Sequence, residues 1–277
     1  MLSRAELVEN HLLSLLPDGE VEALLPHVER VNLQVRHLAY DVNQPIEHAY
    51  FPTDGVISIL GVMSDKTAVE VATIGNEGVV GLPLFLGARM AIGQAFVQVA
   101  GTGLRIRADH FVTASRRGRF REVLELYTQA LFTQVAQAAA CNRLHLTEER
   151  FARWLLMTQD RVSGDQFTLT QDFLSQMLGV RRATVSEIAA EAQRNGMIEY
   201  SRGRLTIVNR QALLGLSCEC YGLIRSEYER LLGQAHRRPN DPPAIPELSR
   251  AGKSLVTDGT PRDHHHSEVI RANGSSS

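Results

Sequence analysis

The sequence of 277 residues lacks the features that define several large classes of protein. No apolar run approaches the about 20 residues that a transmembrane helix needs, and the N-terminus MLSRAELVEN contains no hydrophobic signal segment. We therefore expect a cytoplasmic protein with no membrane partner. The three cysteines, at positions 141, 218 and 220, are too few for a disulfide framework.

The sequence also lacks the motifs of common enzymes. It contains no phosphate-cradling loop, no nucleophile elbow and no metal-ligand spacing, so catalysis is not indicated. An apolar content of 44% with 22% charged residues is ordinary for a globular protein, and the length is sufficient for two domains.

A strongly basic composition, typical of many nucleic-acid-binding proteins, is missing as well, because the net charge is −2. The charge is uneven, however. Nine arginines stand against six acidic residues between Arg150 and Arg210. This local positive charge is compatible with binding a defined DNA site, although it is weak evidence.

Residues 170–195 predict two short helices joined by a tight turn. The first helix begins at Thr170, whose hydroxyl can cap free backbone N–H groups, and ends before Gly179, which tolerates a positive φ. The second helix runs from Arg182 to Arg194. Its apolar residues recur at helical spacing and form one buried stripe: Val185, Ile188, Ala189 and Ala192.

Small polar and basic residues near the start of the second helix suit a reader of the DNA major groove, since such helices contact base edges with their N-terminal turns. The alternative is an ordinary helical hairpin inside a core. The candidate DNA-binding residues of this segment are Thr170, Arg181, Arg182, Thr184, Ser186 and Glu187.

A hairpin follows directly. Residues 197–200 predict a strand, Ser201 to Gly203 a tight turn, and Arg204–Val208 a returning strand. A small hairpin after a recognition helix is typical of a wing, and Arg202 and Arg204 are then placed to contact phosphate. The alternative is a solvated hairpin tip with incidental arginines.

The segments Thr170–Val208 and Pro45–Pro52 resemble the Crp/Fnr superfamily of bacterial transcription regulators, and the resemblance covers about residues 10–230. It implies an α+β fold: an N-terminal β-roll (a cyclic-nucleotide-binding-like jelly roll), a long dimerisation helix and a C-terminal winged helix-turn-helix. It also implies a homodimer that binds double-stranded DNA at a palindromic operator, with RNA polymerase as a further partner.

We accordingly predict four regions: helices and β-roll over 1–115, a dimerisation helix over 116–146, a winged domain over 147–233 and a disordered tail over 234–277. Helices are expected over 5–16, Val21–Val28, Glu148–Arg161 and Gln211–Leu232. The short strands expected in the β domain are Ala49–Phe51, Gly55–Leu60, Ala68–Thr73, Ala95–Val99 and Gly103–Arg107.

In family members that bind cyclic nucleotides, a Gly-Glu pair holds the ribose, and an Arg followed by Ser or Thr holds the phosphate. Here Gly81-Leu82 occupies the first position, and the second is replaced by Ile92, Gly93 and Gln94. A buried phosphate needs a compensating charge, so we expect weak or absent cyclic-nucleotide binding and predict no cofactor. Nearby Glu77 and Arg89 are expected to be exposed loop residues.

An apolar stripe at alternating four- and three-residue steps follows Gly118, as in a coiled coil. We predict that it forms the dimer interface, and the alternative is that it packs on its own β domain. The residues of the predicted interface are Phe120, Leu124, Tyr127, Leu131, Gln134, Ala138 and Cys141.

The cysteines do not predict a metal site. Cys141 is expected to be a small core residue, and His145 a capping or core histidine. Cys218 and Cys220 are two positions apart on an expected helix, so their side chains should point in different directions.

The recognition helix of the family carries an Arg-Glu-x-x-x-Arg pattern, and the matching positions here are Arg182, Ala183 and Glu187. Because two of the three residues differ, we expect a different DNA half-site. Two other functions compete with a regulator. One is a ligand-sensing module whose winged domain mainly docks protein, and the other is an enzyme on a β-roll scaffold.

Overall fold

The computed structural model describes residues 2–233, all within one compact unit. The predicted tail, 234–277, lies outside the described residues. The architecture is α+β, with an antiparallel sheet near the N-terminus, a long helix and a small three-stranded sheet flanked by helices. In the part of the chain that the structure describes, no helix is both long and apolar enough to cross a bilayer.

The N-terminal segment forms three short helices, α1 (Arg4–Leu7), α2 (His11–Ser14) and α3 (Asp18–Leu24). The expected single helix over 5–16 is wrong because Asn10 interrupts it. The Asn10 side chain caps α2 and donates hydrogen bonds to the carbonyl oxygens of residues 52 and 78, at 2.8 and 3.0 Å. The second expected helix ends at Leu24, and a 3₁₀ turn leads into the first strand.

The large sheet has the order β1-β5-β3-β4, with β2 beside β5 and all pairs antiparallel. Its strands are β1 (Val28–Leu33), β2 (Leu38–Tyr40), β3 (His48–Val62), β4 (Ala68–Ile74) and β5 (Gln94–Arg107).

Two pairs of short strands predicted from the sequence are in fact two long strands, β3 and β5. Register shifts between Pro52 and Ile57 bend β3 without ending it. Gly55, with a φ of 89°, permits this bend, because a Cβ there would lie 2.6 Å from the Val99 carbonyl oxygen. Turn-forming residues therefore marked bulges in these strands and not their ends.

Helix α4 (Leu82–Phe85) lies between β4 and β5. Three helices then lead from the sheet to the C-terminal region: α5 (Ala108–Ala114), α6 (Gly118–Leu144) and α7 (Thr147–Gln159). Helix α6 is 27 residues long and packs against β4 and the last helix. A continuous apolar core runs from the β-roll into the C-terminal region and includes Phe51, Phe111, Phe120, Phe151 and Trp154.

The C-terminal region contains β6 (Gln166–Thr168), α8 (Gln171–Leu178), α9 (Arg182–Arg194), β7 (Ile198–Ser201), β8 (Arg204–Ile207), α10 (Arg210–Leu216) and α11 (Cys220–Leu232). The expected helix over Gln211–Leu232 is two helices, because the chain turns at residues 217–219. The small sheet has the order β6-β8-β7.

Candidate nucleic-acid interface

Helix α8 and the turn after it form as the sequence predicts. The Thr170 hydroxyl accepts a hydrogen bond from the Phe173 backbone N–H at 3.2 Å and so caps the helix. Gly179 ends the helix with a φ of 65°. Leu174, Met177 and Leu178 are buried, which fixes α8 against the domain core.

Helix α9 covers the predicted residues and buries the predicted side. Val185, Ala189 and Ala192 are buried, and Ile188 is half-buried against the same core. The other side faces solvent, and this exposed set comprises Arg181, Arg182, Ala183, Glu187 and Arg194. The N-terminal turn of α9 is therefore free to meet a ligand.

Two candidate residues of α9 are less exposed. Thr184 and Ser186 are both half-buried. The Ser186 hydroxyl donates a hydrogen bond to the Gln171 side-chain oxygen at 2.8 Å. This bond joins α9 to α8 and helps to fix the angle between the two helices.

The predicted wing is present as strands β7 and β8. Arg202 and Gly203 have φ values of 51° and 76°, and a two-residue hairpin turn of this kind needs positive φ at both positions. Arg202 and Arg204 are exposed. The sequence did not reveal the third strand, β6, whose three residues pair with Arg204 to Thr206 of β8.

The wing turn and the start of α9 border one cleft. Arg182 reaches the exposed Asp172 carboxylate at 3.3 Å, and the Tyr200 hydroxyl donates to the Leu169 carbonyl oxygen at 2.8 Å. The residues that line the cleft are Thr170, Gln171, Asp172, Arg182, Tyr200, Arg202 and Gly203. Three of the residues predicted to contact DNA, Thr170, Arg182 and Arg202, therefore line a single concave surface.

The helix-turn-helix packs on the β-roll of its own chain. The Phe173 ring of α8 meets the Phe96 ring of β5 edge-on, with 5.5 Å between centroids. The Trp154 indole N–H of α7 donates to the Glu70 carboxylate of β4 at 2.9 Å, and the Ser58 hydroxyl donates to the same carboxylate at 2.7 Å. Burial at this contact raises the pKa of Glu70 to about 7.

Glu77 is not the exposed turn residue that the sequence predicts. It is buried, and its carboxylate accepts hydrogen bonds from the Arg161 guanidinium at 2.8 Å. Arg161 also donates to the Met157 carbonyl oxygen at 2.8 Å. The pair ties the turn after β4 to the end of α7, and a buried carboxylate needs such a partner.

The turn that leads into α4 carries apolar side chains. Gly81, with a φ of 112°, precedes α4, and Leu82 is buried. Ile92 is 89% exposed. Arg89 is an exposed loop residue, as expected, and pairs with Asp109 at 2.7 Å.

The stripe of α6 that was assigned to the dimer interface lies inside its own chain. Six of its residues are buried, namely Phe120, Leu124, Tyr127, Gln134, Ala138 and Cys141, and Leu131 is half-buried. Tyr127 donates to the Val79 carbonyl oxygen and Gln134 to that of Thr73. These side chains therefore pack within their own chain, against the β domain and the last helix, as the alternative predicts.

The cysteines also depart from expectation, because they converge. Cys218 precedes α11 and Cys220 begins it, so their side chains are not directed apart by one helix. The Cys141 and Cys218 sulfurs are 3.5 Å apart, and the Cys220 sulfur lies 3.4 Å from His145 Nδ1. The four-residue spacing of Cys141 and His145, which places both on one helix face, was the available sequence signal.

Comparison with known proteins agrees with this geometry. Residues 149–216 match the family model of the Crp-like helix-turn-helix domain. No curated protein sequence matches the chain.

Several solved structures share the fold. FixK2 of Bradyrhizobium japonicum is 17% identical, with a TM-score of 0.59 over 69% of this chain and 98% of that one. The c-di-GMP-responsive global regulator CLP of Xanthomonas campestris is 15% identical, with a TM-score of 0.54 over 69% and 99%. A CRP-family transcriptional regulator of Thermus thermophilus is 15% identical, with a TM-score of 0.56 over 68% and 96%. The chain therefore has the fold of the Crp/Fnr superfamily of transcription regulators and carries a Crp-like helix-turn-helix domain.

Proposed function

We propose that the chain is a sequence-specific transcription regulator that binds double-stranded DNA as a homodimer. The observation that supports this most directly is the exposed N-terminal turn of α9 beside the wing, within a Crp-like helix-turn-helix domain. Recognition helices contact base edges with their N-terminal residues, whereas phosphate contacts set the register on the duplex. Arg182 and Arg202 line the same cleft. Arg182 suits base recognition, and Arg202 suits phosphate binding.

Three residues of α9 would select the sequence. Arg182 can donate two hydrogen bonds to guanine O6 and N7. Ala183 offers only a methyl group, which suits contact with thymine, and Glu187 can accept from cytosine N4. This combination differs from the family pattern at two positions, so we propose a half-site of different sequence.

The remaining candidate residues would position the protein on the duplex. Arg181, Arg202 and Arg204 are exposed and would contact phosphate. Thr170 lines the cleft with Arg202, and Thr184 lies on the first turn of α9, so we assign both to further contacts with the DNA backbone. Because the Ser186 hydroxyl is already bonded to Gln171, we assign Ser186 to holding α9 in place.

The homodimer would form through the exposed side of α6. Phe132 is 67% exposed there, and Ala136, Ala139 and Ala140 are exposed on the turns that follow. Small side chains allow two helices to approach closely. A two-fold dimer would present two α9 helices to a palindromic operator, with half-sites one helical turn apart.

We also propose that cyclic nucleotides do not control this protein. The turn at Gly81 carries the apolar, buried Leu82 where an acidic residue would bind ribose. Arg89, the nearest candidate for a phosphate contact, pairs with Asp109 at the surface. Addition of cyclic AMP should leave both the melting temperature and the affinity for DNA unchanged, as measured by differential scanning fluorimetry and fluorescence anisotropy.

Arg182 provides the test of base recognition. Arg182→Ala should cost about 1–3 kcal/mol at one base pair of each half-site and relax the preference there. Arg194→Ala is the matched control, because Arg194 is exposed on the same helix but lies about 18 Å along its axis. Fluorescence anisotropy against every single-base variant of the operator measures both effects. Equal weakening on operator and random DNA would show that Arg182 reads no base.

RNA polymerase is the further partner that we propose for the DNA-bound dimer. If the winged domain instead mainly docked protein, DNA affinity would depend little on salt. Phosphate contacts predict a steep loss of affinity as salt rises. Titration of the protein with DNA over a range of salt concentrations therefore separates the two functions.

A further inference from the structure

Four metal-ligating side chains meet where α6 ends and α11 begins. The sulfurs of Cys141, Cys218 and Cys220 and a ring nitrogen of His145 all lie within 4.8 Å of one another. The three cysteines are buried and form a small cluster separate from the main apolar core. Cys141 is 77 positions from Cys218 in the sequence, so the fold brings the two pairs of ligands together.

The distances agree with a tetrahedral site. Zinc bound at about 2.3 Å by sulfur and about 2.0 Å by nitrogen places neighbouring ligand atoms about 3.5–3.8 Å apart. The Cys141 and Cys218 sulfurs are 3.5 Å apart, and the Cys220 sulfur is 3.4 Å from His145 Nδ1. A disulfide would need two sulfurs at about 2.05 Å and would leave the third thiol and the histidine unexplained.

The orientation of His145 is that of a metal ligand. Its Nδ1 faces the cysteines, and its Nε2 lies 3.3 Å from the Glu219 carboxylate. Metal-bound histidines usually donate their second ring N–H to such a carboxylate, which fixes the tautomer and the ring plane. The Gln137 side-chain amide also donates to the Cys220 sulfur at 3.1 Å. An ordinary core cysteine cluster requires neither contact.

Nearby positive charge suits the ligand set. Three thiolates and one divalent ion leave one net negative charge, which is costly in a buried site unless it is compensated. The Arg153 guanidinium interacts electrostatically with Cys141, and the Arg150 guanidinium interacts with both Cys141 and Cys218. Both arginines belong to α7, and both are buried.

We propose that Cys141, His145, Cys218 and Cys220 form a Zn²⁺ site that joins the end of α6 to the start of α11. Four protein ligands leave no open position, so the role is structural and not catalytic. Helix α7 starts two residues after His145, and the metal therefore holds the junction between the long helix and the winged domain. This proposal is independent of DNA binding.

Cobalt substitution tests the site directly. The reduced full-length protein should take up one Co²⁺ per chain and show the thiolate-to-cobalt charge-transfer band, and zinc should displace the cobalt. The run His264–His266 contains no thiol and so cannot produce this band. Cys141→Ser, Cys218→Ser and Cys220→Ser should each lose tight uptake and alter or abolish the band. A folded wild-type protein with three titratable thiols but no band would overturn the proposal.

A surface variant keeps the test independent of folding. Glu219→Gln leaves all four ligands and should weaken zinc affinity by about 10- to 100-fold, measured by competition with a chromophoric chelator. Glu122→Gln is the matched control, because the two side chains are 62% and 63% exposed and each pairs with a basic residue. Equal affinity in both variants would contradict the role of Glu219 and the orientation of His145 on which the site depends.

Discussion

At the scale of single residues, two acidic side chains connect the β-roll to the winged domain. Glu77 pairs with Arg161 of the loop after α7, and Glu70 accepts a hydrogen bond from Trp154 within α7. Neither role follows from the local sequence. Glu77 lies in a glycine-rich segment that is typical of an exposed turn, and Glu70 lies between two valines of β4. Only the tertiary fold brings the buried partner to each carboxylate.

Removal of the Glu77 carboxylate should be strongly destabilising. Glu77→Gln leaves the Arg161 guanidinium buried without a counter-ion, which should lower the free energy of unfolding by about 3–5 kcal/mol. Asp109→Asn breaks an exposed pair with Arg89 and should leave the free energy of unfolding almost unchanged, because solvent screens the pair. Urea denaturation of both variants gives the comparison. Similar small losses in both would mean that the buried pair contributes no more than a surface pair.

Glu70 should make stability depend on pH. Its pKa rises from 4.5 to about 7 in the folded protein, so the folded state favours the protonated carboxyl. The resulting stabilisation is fully present below pH 4.5 and is lost as pH rises through about 7. Between these limits the free energy of unfolding of the wild type should fall by about 1–3 kcal/mol relative to Glu70→Gln. Parallel stability profiles, from urea denaturation at each pH, would contradict the assignment.

At the scale of secondary-structure elements, the sequence predicted those features that depend only on neighbouring residues, such as helix caps, turns and apolar stripes. The cap at Thr170, the glycine stop at Gly179 and the 3.6-residue stripe of α9 are all present. The wing was also predictable, because the sequence of Ser201–Gly203 indicates a tight turn between two strands. The three-residue strand β6 was not predictable, because it is shorter than any periodic signal and forms only by pairing with β8.

The wing turn allows phosphate binding to be separated from stability. Arg202 has a φ of 51°, where an L side chain is disfavoured, so Arg202→Gly should change the melting temperature little. DNA affinity should fall equally on operator and random sequences, and the salt slope should decrease by about 1 for each contact removed. Anisotropy titrations over a range of salt provide both quantities. A loss confined to the operator would mean that Arg202 reads sequence.

At the scale of the whole molecule, the packing of α6 could not be predicted from the sequence. Its apolar stripe was correctly identified, but a stripe does not reveal what covers it. Here β4 and α11 cover it within the chain, and Phe132 on the other side remains 67% exposed. The cysteine cluster was not predicted for the same reason, since Cys141 and Cys218 are 77 positions apart in the sequence and nothing between them signals their contact.

The exposed side of α6 should determine the oligomeric state. Phe132→Glu would place a charge in the proposed dimer contact and should convert the dimer to a monomer in analytical ultracentrifugation. Leu86→Glu is the matched control, because Leu86 is 63% exposed in the β-roll, away from α6. The Leu86→Glu variant should remain dimeric. A dimer in both variants would place the interface elsewhere.

Binding selection from random DNA with the purified, untagged protein, followed by salt titration on the enriched site, tests the central claim most directly. We expect a palindromic motif with half-sites one helical turn apart. The proposed dimer would make four phosphate contacts through Arg202 and Arg204 of its two subunits, so log affinity should fall with log salt at a slope of about −3.6 or steeper. No enriched motif, with a slope near zero, would contradict the proposal that this protein is a DNA-binding regulator.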